Sequence, residues 1–171
     1  MVYARTKLMM QDNCFQEDPG DVQIKYVGPH VTLLYQRFYE ILKSVFNVPE
    51  SAIQEENYNW GKGATEKYKV SWLVHKDIDN FSYMYIKVAL SAEGTEKMGN
   101  ATIRMKPYLR TEYPQDTLWQ RSLFYEFIRT FWHRVFYHHR RDEVMEECRQ
   151  LTVVAQKKLQ ELFRELRDKS E

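Results

Sequence analysis

Apolar positions fall into two helical stripes in the stretch from Tyr113 to Ser170. The stretch contains no glycine and, after Pro114, no proline, so nothing in it forces a break and it reads as helix nearly throughout. In its first half Phe124, Phe127, Ile128, Phe131, Trp132, Val135 and Phe136 recur three and four residues apart, and Arg121, Arg129 and Arg134 lie off that stripe. Pro114, Asp116 and Thr117 suit its first turn. In the second half Val144, Cys148, Leu151, Ala155, Leu159, Leu162 and Leu166 form a narrower, heptad-like seam edged by Glu and Lys. The two stripes differ in phase. A straight helix of this length would measure roughly 80 Å, too long for a domain of this size. The pattern therefore predicts a bend near 137–141, or a helical tail over 142–171 that protrudes or packs separately. The aromatics of the first half are expected to face the core, with the arginines as the solvated back of the helix.

Upstream, the periods alternate between two and 3.6. Val2–Met10 reads as an edge strand, Gln11–Gly20 as a loop and Asp21–Val27 as a second strand. Gly28-Pro29 opens an amphipathic helix whose apolar face is Val31, Leu34, Tyr35, Phe38, Ile41, Leu42 and Val45, with Pro49 just past its end. A helical turn at Glu50–Gln54 and a strand from about Glu55 lead to the turn Gly61-Lys62-Gly63. Three alternating segments follow, Glu66–Lys76, Phe81–Ala92 and Ala101–Arg110, joined by short polar turns. Period two with short turns is the signature of an antiparallel meander with one covered face. The expected fold is α+β: a β-meander covered on one face by an N-terminal amphipathic helix and a long C-terminal helix, with residues 1–171 forming one domain. Trp72 and Ile86 are expected in its core. This order of elements resembles the helix-grip layout of the START and polyketide-cyclase families. The resemblance implies a curved sheet wrapped around a C-terminal helix and an apolar cavity between them.

Composition narrows the function. A chain of 171 residues with formal net charge +1 is long enough to bury a core and is not a general nucleic-acid binder. Cys14 and Cys148 stand far apart outside any paired motif and read as free thiols of a reducing compartment. The N-terminus lacks the apolar run of a signal peptide, and no segment is long and apolar enough to span a membrane. The expectation is a cytoplasmic protein, in which the sequons at Asn80 and Asn100 carry no glycosylation meaning.

Candidate chemistry is sparse. Gly61-Lys62-Gly63-Ala64-Thr65 has the wrong spacing for a phosphate loop and reads as a turn. His133, His138, His139, Asp142, Glu143 and Cys148 are the densest set of metal-ligand types. His133 and His138 do not share a helix face, and no second cluster completes a tetrahedral site. His75, Asp77 and Asp79 surround a turn, where such residues serve local hydrogen bonding. No nucleophile signature is present, and no metal, cofactor or catalytic residue is assigned. Between Thr102 and Arg141 eight basic residues face three acidic ones, with aromatics interleaved. RNA binding through 121–141 is a weaker reading, because aromatics on one stripe are better explained by packing.

The aromatic surplus, twelve Tyr and nine Phe, favours a non-catalytic binding module. Its apolar pocket, between sheet and helices, would take a hydrophobic small molecule against Trp72, Tyr83, Tyr85, Phe127, Phe131 and Trp132. The alternative is an interaction protein that self-associates as a homodimer through the Val144–Leu166 seam. An enzyme on the same scaffold is a third, weaker reading.

Overall fold

The computed structural model describes residues 9–15, 20–63, 65–95 and 97–168. Its elements are β1 (Met9–Asn13), β2 (Val22–Gly28), α1 (Leu34–Phe46), β3 (Ile53–Gly61), β4 (Glu66–Asp77), β5 (Ser82–Gly94), β6 (Gly99–Glu112), α2 (Leu123–Trp132) and α3 (His138–Asp168). The fold is α+β, as expected from the sequence. Short 3-10 turns precede α1, β3 and α2. Most of the predicted edge strand Val2–Met10 lies outside the described residues. Gln11–Asn13, assigned to a loop from the sequence, belong to β1.

All strand pairs are antiparallel, in the order β1-β6-β5-β4-β3, with β2 also paired to β6. β2 covers β6 from Gly99 to Met105 and β1 covers it from Tyr108 to Glu112. Pro107 sits in the gap between them, where its missing N–H interrupts no ladder, and its carbonyl accepts from Cys14 N–H at 3.1 Å. Period two then decides the faces. Val70, Trp72, Val74, Met84, Ile86, Val88, Leu90, Ile103, Met105 and Leu109 are buried on one side, with Trp72 1% exposed. Lys69, Lys87, Ala89 and Arg104 are exposed on the other.

Helix α1 lays Leu34, Phe38, Leu42 and Phe46 on the inner face, with the Phe38 ring 5.5 Å from Trp72. It ends where Asn47 turns to a left-handed φ of 48° and its N–H bonds the Lys43 carbonyl. Helix α3 lies over β6 and β2 and alongside α1. Val144, Cys148, Ala155, Leu159, Leu162 and Leu166 are all buried in this chain's own core, and Leu151 is half-buried against it. The seam is thus not a free surface for a second subunit. It is the strip by which α3 holds the sheet and α1, and residues 142–168 are a core element rather than a protruding tail. The cavity implied by the helix-grip resemblance is occupied: the inner faces of sheet, α1 and α3 merge into one packed cluster.

One sequence reading is corrected here. Cys14 and Cys148 are not free thiols: they form a disulfide that ties the residue after β1 to the first half of α3. Two cysteines separated by 134 residues carry no local signal of pairing, and only the fold brings their Cα atoms to 6.0 Å. The long C-terminal helix expected from the sequence is present over 123–168. It runs as α2, a π-helical stretch at His133–Tyr137, and α3. The wider π turn shifts the phase between the two stripes, close to the bend expected at 137–141.

Candidate functional site: an inside-out helix

Helix α2 presents its apolar stripe to the outside. Ser122 caps it, accepting from Tyr125 N–H at 3.2 Å. From there Leu123, Phe124, Phe127, Ile128, Phe131 and Trp132 point outward, and Val135 and Phe136 continue the face through the π turn. Phe127 is 70% exposed, whereas Arg129, two residues on, is 3% exposed. With Leu118 and Trp119 in the preceding turn, ten of the eighteen exposed large apolar side chains among the described residues fall between Leu118 and Phe136. Scattered exposure of single apolar residues is ordinary, but a contiguous stripe is not. Ten such side chains, about half exposed, amount to on the order of 1,000 Å², above the roughly 300–600 Å² of the largest patch on a typical monomer.

The polar side of α2 faces the protein. Arg129 pairs with Glu126 one turn earlier, and Glu126 also accepts from Gln115 Nε2 at 2.9 Å. The Arg129 guanidinium lies 5.8 Å from the centre of the Tyr113 ring. Tyr125 donates to the Pro114 carbonyl, and Arg121 Nε donates to the Gln115 carbonyl. The Tyr113 hydroxyl lies 2.9 Å from His133 Nδ1. Burial, then the neighbouring Arg141 and His138 charges, lower the His133 pKa from its ordinary value. Burial likewise raises the Tyr113 pKa. Further along, the Tyr137 hydroxyl donates to Asp79 at 2.8 Å and sits 2.7 Å from Ser82 Oγ, which in turn meets Thr111 Oγ1 at 2.7 Å. Burial pushes the Tyr137 pKa up to about 12. Hydrogen bonds to residues 113–115 and to the Asp79–Ser82 turn, together with the packed rings of Phe81, Tyr113 and Tyr137, therefore hold α2 and the π turn to the strand ends, where an ordinary amphipathic helix would use its apolar stripe.

The six residues proposed to line one pocket do not meet. Trp72 is inside, between α1 and the sheet. Tyr83 and Tyr85 are half-buried on the outer face of β5, where Tyr83 stacks on His75 and Tyr85 carries the Arg110 guanidinium 3.9 Å above its ring. Phe127, Phe131 and Trp132 lie on the surface of α2. The reason is strand alternation: β5 residues 83 and 85 oppose the core side of 84 and 86. The packing explanation for the basic and aromatic segment is also overturned for its main stripe, since Phe124, Phe127, Phe131, Trp132 and Phe136 are outside and Arg129 is inside, with Tyr137 buried.

The remaining chemistry disperses. Cys148 is committed to the disulfide, His133 to Tyr113, and His138 to Asp142 at 2.9 Å. Among the described residues no group of three potential metal ligands converges. His75 Nε2 meets Asp77 Oδ1 at 2.9 Å beside an open depression of about 470 Å³, lined also by Asn47–Pro49, Ser51 and Ala52. Asp79 caps its turn by accepting from the N–H groups of Phe81 and Ser82. No protein-family profile matches the chain, and no curated protein matches it.

Proposed function

We propose that this is a binding protein that works from its surface, receiving an apolar partner on the aromatic face of Leu118–Phe136. One observation carries the reading: α2 exposes Phe127 and buries Arg129. A helix gains little from propensity alone, and an apolar face left in water forfeits the burial that usually holds a helix in place. Here the polar tether holds α2 instead and leaves the face for a partner. The half of the expected small-molecule pocket formed by Phe127, Phe131 and Trp132 belongs to this face. Self-association, expected at the Val144–Leu166 seam, is no longer supported there, because α1 and the sheet already cover that strip. One premise for a cytoplasmic setting, free thiols, is gone. The Cys14–Cys148 disulfide supports an oxidising environment, where such bonds persist.

The test is binding of an apolar fluorescent dye, 1-anilinonaphthalene-8-sulfonate, to the folded protein. The wild type should enhance its emission, and the Phe127→Ser, Phe131→Ser double variant should lose most of that enhancement while keeping its far-UV spectrum. Equal dye binding by both proteins would remove this face as the site.

A further inference from the structure

We infer that the occupant of this face is an anionic lipid surface, with α2 lying in the plane of the interface. The inference rests on the surface-binding reading above and names its partner. The 14 residues from Leu123 to Phe136 form a rod of about 20 Å. Its apolar side is continuous and its other side is anchored to a rigid domain, which is the shape of an interfacial helix. Two tryptophans flank the centre of the stripe, Trp119 before its first turn and Trp132 before its last: each is about half exposed, and an indole sits well where one side is apolar and the other wet. An exposed arginine stands two residues beyond each, Arg121 and Arg134. From there a long side chain can reach phosphate while its stem follows the apolar layer.

Charge then separates a lipid surface from a second copy. Between Leu118 and His139 the only acidic residue is Glu126, and it is turned inward to Arg129 and Gln115. A two-fold pairing of antiparallel α2 helices would bring Arg121 of one copy toward Arg134 of the other, with no carboxylate on the face to receive either. A surface of lipid phosphates supplies the missing anions. The contact is peripheral, since among the described residues no helix is long and apolar enough to cross a membrane, and the α3 seam is occupied in the core.

The experiment is co-sedimentation of the intact protein with vesicles of phosphatidylcholine alone and of equal parts phosphatidylcholine and phosphatidylglycerol. Tryptophan emission and analytical ultracentrifugation are recorded in parallel. The wild type should bind the anionic vesicles, shift its emission to the blue and release as salt is raised. Arg121→Gln with Arg134→Gln should weaken binding to the anionic vesicles roughly 30-fold, about fivefold for each charge, and leave the far-UV spectrum intact. Phe127→Ser with Phe131→Ser should abolish vesicle binding and dye binding alike. Failure to bind anionic vesicles, with dye binding retained, would overturn the lipid assignment alone. A dimer that dissociates in the Phe127→Ser, Phe131→Ser variant would then identify a second copy as the occupant. Equal affinity for neutral vesicles would overturn the role given to the arginines. Loss of dye binding in the wild type would overturn the underlying surface-binding reading as well.

Discussion

Arg129 is buried against the carboxylate of Glu126, and Phe127, between them in sequence, is the most open phenylalanine of the helix they share. The usual energetic signs of substitution are reversed along α2. Removing the Arg129 side chain leaves the Glu126 carboxylate with Gln115 alone and empties the space the guanidinium fills beside Tyr113. Arg129→Ala should destabilise the docking of α2 by about 3 kcal/mol, the lower end for breaking a buried pair. Phe127→Ser should change stability by no more than about 0.5 kcal/mol, as an exposed position does. Hydrogen exchange over residues 118–137, alongside a denaturant titration, measures both. A larger loss from Phe127→Ser than from Arg129→Ala would mean that the helix is packed the other way round.

The meander should carry the global stability. Ile86 is fully buried at the centre of β5, opposite Val74 on one side and Pro107 on the other. Ile86→Ala should lower the unfolding free energy by roughly 2–5 kcal/mol. A change within experimental error would place Ile86 outside the core.

These elements were readable for different reasons. The alternation in Glu66–Lys76, Phe81–Ala92 and Ala101–Arg110 gives strands and faces together, because the period is two and one face is wet. The stripe of α2 gives only amphipathicity. Which side turns inward depends on whether the sheet edge offers apolar or polar partners. There it offers Tyr113, Gln115 and the Asp79–Ser82 turn, which meet Arg129, Glu126 and Tyr137 rather than phenylalanine. A clue lay in the chain: Glu126, Arg129 and His133 share the opposite helix face at spacings of three and four. The disulfide had no comparable clue, since its partners meet only after α3 crosses β6.

Reduction should matter. The Cys14–Cys148 bond closes a loop spanning most of the chain and joins β1 to α3. Cys14→Ser with Cys148→Ser should lower stability by about 2–5 kcal/mol and release β1 from β6 first. Thermal unfolding with and without a reductant reads the effect, and identical midpoints would mean that the bond contributes nothing to folding.

The tether of α2 should weaken in acid. Burial and the Arg141 and His138 charges depress the pKa of His133 below its usual 6.5. The unfolded chain then binds the proton more readily than the folded one, so stability is fully present above pH 6.5 and declines as the pH falls toward the folded pKa. Exchange rates over residues 123–137 should rise as the pH drops below 6.5, after correction for intrinsic chemistry, and His133→Gln should flatten that dependence. A rise that persists in His133→Gln would assign the titration to another group.

The α3 seam supplies the last prediction. Leu159 is fully buried and Leu151 is half-buried against the same core, in the strip where α3 meets α1 and the sheet. A seam between subunits would respond to charge by giving a smaller, folded species. A seam inside the chain has no such outcome, because a carboxylate at position 159 would enter packed apolar surroundings and either lose its charge or expel the helix. Leu151→Glu with Leu159→Glu should therefore unfold the protein, with loss of the near-UV signal from the core around Trp72. The single change Leu151→Glu, at the half-buried position, should be tolerated better than Leu159→Glu. Sedimentation of the double variant as a folded particle of half the wild-type mass would contradict this, and would return the seam to an interface between copies.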